Sequence, residues 1–133
     1  MGYRSDITVL MYAGTPEEQV MVNEWVKGQL AKWGADNALY INNFTFTHRM
    51  VRFDAESWKW YDSYPEVQWL EKLFEDYVDT FIANDLSDSE DPRNNSTYAI
   101  EYARVGEEYE DIETWARGEQ QGRLYVSRQI MVD

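Results

Sequence analysis

The stretch over residues 5–18, Ser-Asp-Ile-Thr-Val-Leu-Met-Tyr-Ala-Gly-Thr-Pro-Glu-Glu, contains the signals that decide the fold class. The residues before Gly14 are rich in β-branched and apolar side chains, which is typical of a strand buried on both faces. After Gly14, Thr15 is placed to cap a helix, Pro16 fits its first position, and Glu18 completes a capping box. The chain therefore opens with a strand followed directly by a helix.

A hairpin is predicted after this first unit. Apolar residues at helical spacing continue the helix to Trp33, and a connector follows. Alternating side chains over 44–53 predict a strand, and residues 54–57 are predicted to form a tight loop. Residues 58–61 are then expected to return as the second strand of the hairpin.

The second half of the chain repeats the pattern of a helix followed by strands. Ser63 and Pro65 are placed to start a helix that runs to about residue 83. Residues 84–97 are polar and acidic and are predicted to form a mobile loop. Strands are expected over 98–105 and 124–132, with a brief pairing at 112–116 between them.

The resulting order, β-α-β-β-α-β-β, predicts one α+β domain over residues 1–133. Helices separated by hairpins favour a mostly antiparallel sheet with both helices packed on one face. The length fits one domain, and a hydrophobic content of 44% supplies a core, which excludes global disorder. No apolar run approaches about 18 residues, and the first residues do not form a signal peptide, so a cytoplasmic protein is expected.

Composition also restricts the chemistry. With 25 acidic and 12 basic residues, the formal net charge is −13, which disfavours direct binding to nucleic acid. The absence of cysteine excludes disulfides, thiolate catalysis and cysteine-ligated metals. His48 is the single histidine and has no nucleophile or carboxylate at a recognisable spacing, and no phosphate-binding loop is present. The sequence therefore predicts a protein without enzymatic activity, cofactor or metal.

Three regions of the sequence resemble, in matching order, a group of small phage and prophage proteins that are mostly uncharacterised. These are the opening 1–7 (Met-Gly-Tyr-Arg-Ser-Asp-Ile), the segment 58–67, and the C-terminal pair 103–113 and 124–130. The resemblance implies a phage origin, so the cytoplasm would be that of an infected bacterial host, and it implies a compact α+β fold. It implies no established activity and no catalytic residues.

Two groups of residues are candidates for binding a partner. The first is an acidic turn with one aromatic residue, and the second is an aromatic group with an adjacent acid; they comprise Glu107, Glu108, Tyr109, Glu110, Asp111 and Glu113, and Trp58, Trp60, Tyr61 and Asp62. The acids either keep the protein soluble or complement a basic partner. The aromatic side chains either close the core or anchor an interface.

These observations favour a phage-encoded acidic protein that inhibits a host nucleic-acid-binding defence complex, such as a CRISPR effector or a restriction enzyme. It would act by occupying a basic surface through charge and shape. One alternative is a small-ligand module that sequesters a nucleotide signal in a concave pocket with basic residues such as Arg4, Arg49, Arg104 or Arg128 pointing inward. Another is a phage accessory protein that associates with itself.

Overall fold

The computed structural model describes residues 4–33, 42–82, 98–108, 110–118, 124–126 and 130–132. The predicted α+β class and the order β-α-β-β-α-β-β are confirmed. The elements are β1 Ser5–Tyr12, α1 Pro16–Trp33, β2 Phe44–Phe46, β3 Val51–Trp58, α2 Pro65–Tyr77, β4 Ala99–Gly106, β5 Ile112–Gly118, β6 Leu124–Val126 and β7 Ile130–Val132. A π-helical turn over Val78–Ile82 follows α2. The loop predicted over 84–97 lies outside the described residues.

The main sheet has the order β2-β3-β1-β4-β5, and all of its pairings are antiparallel. The first strand of the chain is thus the central one, with β3 on one side and β4 on the other. Residues 112–118 form a full strand at the edge, longer than the brief pairing predicted there.

A separate hairpin forms from residues 124–132, which were predicted to be one strand. β6 and β7 pair antiparallel, with Leu124 opposite Val132 and Val126 opposite Ile130. The sequence Ser-Arg-Gln at 127–129 interrupts the apolar run between the two strands. The segment therefore doubles back on itself.

The main core lies between the sheet and the two helices. Ile7, Val9 and Met11 are at most 1% exposed and point to the helix face, as period-2 alternation requires. They belong to one cluster with side chains of α1 and α2, namely Val22, Val26, Leu30, Leu70, Leu73, Phe74 and Tyr77. Both helices therefore cover the same face of the sheet, as predicted.

The opposite face of β1 is also buried. Leu10 and Tyr12 form a second apolar cluster with Ala99, and Val132 of β7 packs against it. The Tyr12 hydroxyl donates a hydrogen bond of 2.6 Å to a carboxylate oxygen of Glu101, which is itself buried. Burial on both faces explains why β1 is almost continuously apolar.

The hairpin turn lies earlier than predicted, and residues 54–57 belong to β3 rather than to a loop. The chain turns between Thr47 and Met50, where the Thr47 amide donates to the Met50 carbonyl at 3.0 Å. The Thr47 hydroxyl oxygen also accepts the amides of Arg49 and Met50 at 3.1 Å each. The Thr47 side chain therefore closes a turn that contains neither glycine nor proline, the residues that usually mark a turn in a sequence.

A bulge near the end of β3 aims Trp58 at the core. The register with β1 shifts by one residue between Ser5 and Ile7, and Ser57 has a φ of 56°. The Ser57 amide donates to Asp6 Oδ1 at 2.8 Å, which holds the bulge against β1. The Trp58 ring then meets the Phe53 ring edge-on, with centroids 5.8 Å apart.

Candidate binding cleft

An open cleft lies between α2 and the β4–β5 edge on the helix face of the sheet. Its volume is about 530 Å³, and its lining comprises Glu71, Phe74, Glu75, Val78, Asp79, Tyr102, Glu113, Trp115 and Arg117. A second depression of about 450 Å³ shares Glu71 and Glu113 with it and is otherwise lined by Ser5, Trp60, Tyr61, Asp62, Arg104 and Asp111. We refer to the two together as the acidic cleft.

The positions of these side chains follow from the periodicities of strand and helix. Glu113, Trp115 and Arg117 alternate along β5 and therefore share its helix face. Tyr102 is the register partner of Trp115, and their rings stack with centroids 5.2 Å apart and an interplanar angle of 13°. Acidic side chains at intervals of four residues along α2 and the π-helical turn form the facing wall. The stacked aromatic pair, which we call the aromatic floor, thus lies opposite the acidic side chains of this wall.

Negative charge dominates the acidic cleft. Six carboxylates line it against two guanidinium groups; the acids are Asp62, Glu71, Glu75, Asp79, Asp111 and Glu113, and the bases are Arg104 and Arg117. Glu75, Asp79 and Glu113 are exposed at its rim. A surface of this kind attracts cations and basic polypeptides.

The carboxyl group of Glu71 has a raised pKa in this environment. Partial burial raises the pKa of the Glu71 carboxyl, and repulsion from Asp62 and a hydrogen bond with Asp62 raise it further. Glu113 and Glu75 add weaker repulsion in the same direction. The free energy of placing a negative charge at Glu71 is therefore unfavourable in the folded protein.

Arg104 neutralises one of the six acids. Its guanidinium donates to Asp111 at 2.8 and 3.2 Å and to the Ser5 hydroxyl at 3.1 Å. The bidentate hydrogen bonding to Asp111 raises the pKa of Arg104. Asp111 therefore fixes the start of β5 to β4, and the charge of this pair is largely satisfied within the chain.

Tyr102 and Glu113 are also coupled. Burial raises the pKa of the Tyr102 hydroxyl, the negative charge of Glu113 adds to the effect, and the hydroxyl hydrogen-bonds to Glu113. Tyr102 therefore stays protonated beside the Glu113 carboxylate, and both side chains line the cleft.

The structure brings together five of the residues predicted to bind a partner. Trp60, Tyr61 and Asp62 share the second depression with Asp111 and Glu113, although about 50 residues separate the two groups in sequence. Trp58 packs on Phe53 instead and closes the core.

The remaining members of the predicted acidic turn lie away from this lining. Glu107, Glu108 and Glu110 are exposed, and Glu107 Oε1 accepts the Arg4 amide at 2.9 Å. Tyr109 lies outside the described residues. The described part of the turn therefore contributes to the cleft through its C-terminal end.

The acids that face the cleft from α2 and the π-helical turn, and the aromatic floor, were not predicted from the sequence. Glu71, Glu75 and Asp79 are spaced four residues apart, which places them along one side of the helix beside the apolar stripe. That spacing was visible in the sequence and could have indicated an acidic helix face. The sequence around Trp115 contains no such signal, because its contact with Tyr102 is created by strand pairing.

Of the arginines considered for a ligand pocket, Arg4 and Arg104 lie at one end of β1 and Arg49 lies at the other. Arg104 lies near the start of β1, beside Ser5, and Arg4 directly precedes that strand. Arg49 is exposed in the β2–β3 turn, at the opposite end of β1, because β3 runs antiparallel and pairs Val51 with Met11. Arg128 lies outside the described residues. The length of β1 thus keeps Arg49 away from Arg4 and Arg104.

The chain matches no protein-family model, and no curated protein or solved structure is significantly similar to it. Within the described ranges, no cluster of three or more histidine or carboxylate side chains has an arrangement that could hold a metal ion. No helix in the same ranges has the length and apolar character needed to cross a membrane.

Replacing Glu71 with glutamine is expected to raise the melting temperature at neutral pH by about 2 °C. The change removes an unfavourable charge. Because solvent screens this charge, the free energy of unfolding should rise by only about 0.5 kcal/mol. A raised pKa means that the folded chain binds this proton more tightly than the unfolded chain does. The penalty of the wild type therefore disappears at acid pH, and the advantage of Glu71→Gln should vanish below about pH 4.

Thermal unfolding of both proteins across this pH range measures the effect. Glu24→Gln, on the exposed side of α1, is the matched control and should change the melting temperature by less than about 1 °C at every pH. A Glu71→Gln protein that is less stable than the wild type at neutral pH would show that the carboxylate is stabilising.

Proposed function

We propose that this chain is a non-enzymatic protein that binds a basic surface of a host nucleic-acid-binding defence complex, of the CRISPR-effector or restriction type, and inhibits it. The acidic cleft is the contact surface in this proposal. The protein would act in the cytoplasm of the infected host. The segments that resemble small phage proteins support such a target, and the net charge of −13 supports a basic binding surface.

The observation that carries the proposal is the convergence of charge and aromatic surface in one cleft. Six carboxylates surround Trp115, Tyr102, Trp60 and Tyr61, and two of the acids come from a segment that is distant in sequence from the others. Aromatic side chains with adjacent charges are typical of the residues that dominate binding energy at interfaces. A surface that only kept the protein soluble would not require this convergence.

The arrangement of the acids and the aromatic rings supports an electrostatic and steric mode of inhibition. Exposed carboxylates at the rim, Glu75, Asp79 and Glu113, attract a basic surface over a distance of about 10 Å at moderate salt. The aromatic floor then supplies contact area close to the charges. A partner held in this way would have its basic residues covered and unavailable to phosphate groups.

Affinity capture from host lysate, followed by measurements on the purified partner, tests the proposal. A nucleic-acid-binding complex should be recovered at low salt and reduced at high salt, and the wild-type protein should displace nucleic acid from it. Reversing two rim charges, Glu75→Lys with Glu113→Lys, should weaken the affinity for that complex at least tenfold.

A second double variant controls for net charge. Glu24→Lys with Glu56→Lys changes the charge by the same amount at exposed positions outside the cleft, and it should weaken binding less than about threefold. Equal effects of the two double variants would rule out the cleft as the contact. Recovery of no nucleic-acid-binding partner, or a partner whose nucleic-acid binding is unaffected, would rule out the proposed inhibition.

A further inference from the structure

A second cavity lies on another side of α2, between the two helices, and we call it the interhelical groove. Its volume is about 400 Å³; Gln29, Lys32 and Trp33 line it from α1, and Trp69, Lys72 and Asp76 line it from α2. Intervals of three and four residues place each set along one side of its helix. None of these residues lines the acidic cleft, so the groove is a separate site.

Two stacked indole rings form the aromatic part of the groove. The rings of Trp33 and Trp69 have centroids 3.8 Å apart and an interplanar angle of 11°, and both side chains are half-buried. Indole rings that line a cavity offer flat apolar surface for a planar ligand. Every nucleobase has a π face, so stacking on such a surface is available to any base.

Two lysines border the indole pair, one from each helix. Lys32 lies in the last turn of α1, Lys72 lies on α2, and both side chains are exposed. The Lys72 ammonium is 3.2 Å from Asp76 Oδ2, in an exposed ion pair within one helix. Because such a pair adds little to stability, Lys72 can turn from Asp76 to another anion at small cost. The lining residues carry two positive charges against one negative, in a chain with 25 acidic and 12 basic residues.

We propose that the interhelical groove binds a mononucleotide, with its base stacked on the indole pair and its phosphate groups held by Lys32 and Lys72. The indole rings alone would suit any flat apolar ligand, and the lysines alone would suit any small anion. Together they select an aromatic ring that carries phosphate. Gln29 adds an amide, which can both donate to and accept from the edge of a base.

The size of the groove and the charge of the chain favour a single nucleotide over a nucleic-acid strand. A volume of about 400 Å³ falls within the range of about 300–1,000 Å³ that is usual for small-ligand sites. A strand would continue beyond the two lysines and bring further phosphates toward a protein with a formal net charge of −13. The inference goes beyond the proposed function and does not depend on it, because the acidic cleft and the groove share no residue.

Calorimetric titration of the intact protein with adenosine 5′-diphosphate tests the choice of ligand. We expect binding, and we expect adenosine and inorganic pyrophosphate each to bind at least about tenfold more weakly, because each lacks one half of the ligand. Pyrophosphate that bound as tightly as the nucleotide would overturn stacking, and adenosine that did so would overturn the role of the lysines. Tighter binding of a ten-residue single-stranded oligonucleotide would show that the occupant is a strand. Absence of nucleotide binding would refute the proposal.

A double variant, Lys32→Gln with Lys72→Gln, tests the position of the phosphate groups. It should weaken the affinity for adenosine 5′-diphosphate at least about tenfold, because two charged contacts are lost. Lys27→Gln with Lys59→Gln is the matched control, since it removes the same charge at exposed positions that do not line the groove. The control should change the affinity less than about threefold. Equal losses in the two double variants would show that the nucleotide lies elsewhere.

Two substitutions of Trp33, the last residue of α1, test the stacking of the base. Trp33→Leu removes the ring and should weaken nucleotide binding at least about fivefold, whereas Trp33→Phe keeps a ring and should retain more of the affinity. The melting temperature of each variant shows whether it is folded, and the lysine variants decide the matter if either is not. Wild-type affinity in a folded Trp33→Leu protein would contradict stacking on the indole pair.

Discussion

Replacing Gly118 with alanine is expected to lower the free energy of unfolding by about 3 kcal/mol. Gly118 ends β5 with a φ of +86°, a conformation that residues with a side chain rarely adopt. An added Cβ would overlap the backbone carbonyl oxygen of Tyr98 and would lie 3.1 Å from the Ala99 Cα. Both neighbours are backbone atoms, so β4 or β5 would have to move.

Gly28→Ala is the matched control for this substitution. Gly28 lies within α1, and an added Cβ there meets nothing within 4 Å. Alanine is favoured over glycine in a helix by about 0.5–1 kcal/mol, so this variant should be more stable than the wild type. Chemical denaturation of both variants measures the two effects. A Gly118→Ala protein as stable as the wild type would contradict the close approach of β4 to the end of β5.

Replacing Phe53 with alanine is expected to cost about 3–5 kcal/mol. Phe53 is fully buried near the centre of the sheet, and its ring contacts those of Phe44, Trp58, Trp60 and Phe74. Its removal leaves a cavity between β3 and α2 that rigid aromatic neighbours cannot fill. Because small domains are stable by about 5–15 kcal/mol, the variant should unfold at much lower denaturant concentration.

Phe46→Ala on the neighbouring edge strand is the comparison. Phe46 is only partly buried and packs at the margin of the core under Lys27, so its loss should cost about 1 kcal/mol. Denaturant titrations followed by tryptophan fluorescence give both values. If the two variants lost comparable free energies of unfolding, Phe53 would not be at the centre of the core and Phe46 at its margin.

The acidic cleft links stability to the proposed function. Six carboxylates line it, and partial burial together with repulsion from Asp62 raises the pKa of Glu71, so a charge there is unfavourable in the free protein. A basic partner would relieve this repulsion on binding. Glu71→Gln is therefore expected to stabilise the free protein and to weaken its binding to a basic partner. Such a trade-off is common where the residues of a binding site lower the stability of the free protein.

Local sequence signals were sufficient for the opening of the chain and for the fold class. β1 is apolar on both faces because it is the central strand, and Thr15 caps α1 as predicted: its hydroxyl oxygen accepts the Glu18 amide at 3.2 Å, and its O–H donates to the Glu18 carboxylate at 2.7 Å. The helix cap depends on residues that are neighbours in sequence, and the apolar character of the strand depends on burial at almost every position. The second helix and β4 were predictable for the same reason, but the N-cap of α2 is Tyr64, without a side-chain cap hydrogen bond, and not Ser63 as predicted.

The hairpin and the cleft were decided by the tertiary structure. Alternation over 44–53 could not reveal a turn closed by the Thr47 side chain, nor the bulge at Ser57 that continues β3 as far as Trp58. The sequence by itself determined the α+β class, the central strand, the helix starts and the excess of acid. Strand pairing decided which acids meet: Glu113 reaches Glu71, and Trp115 reaches Tyr102, because β5 pairs with β4 beside α2. Such contacts join residues far apart in the chain, and no local periodicity encodes them.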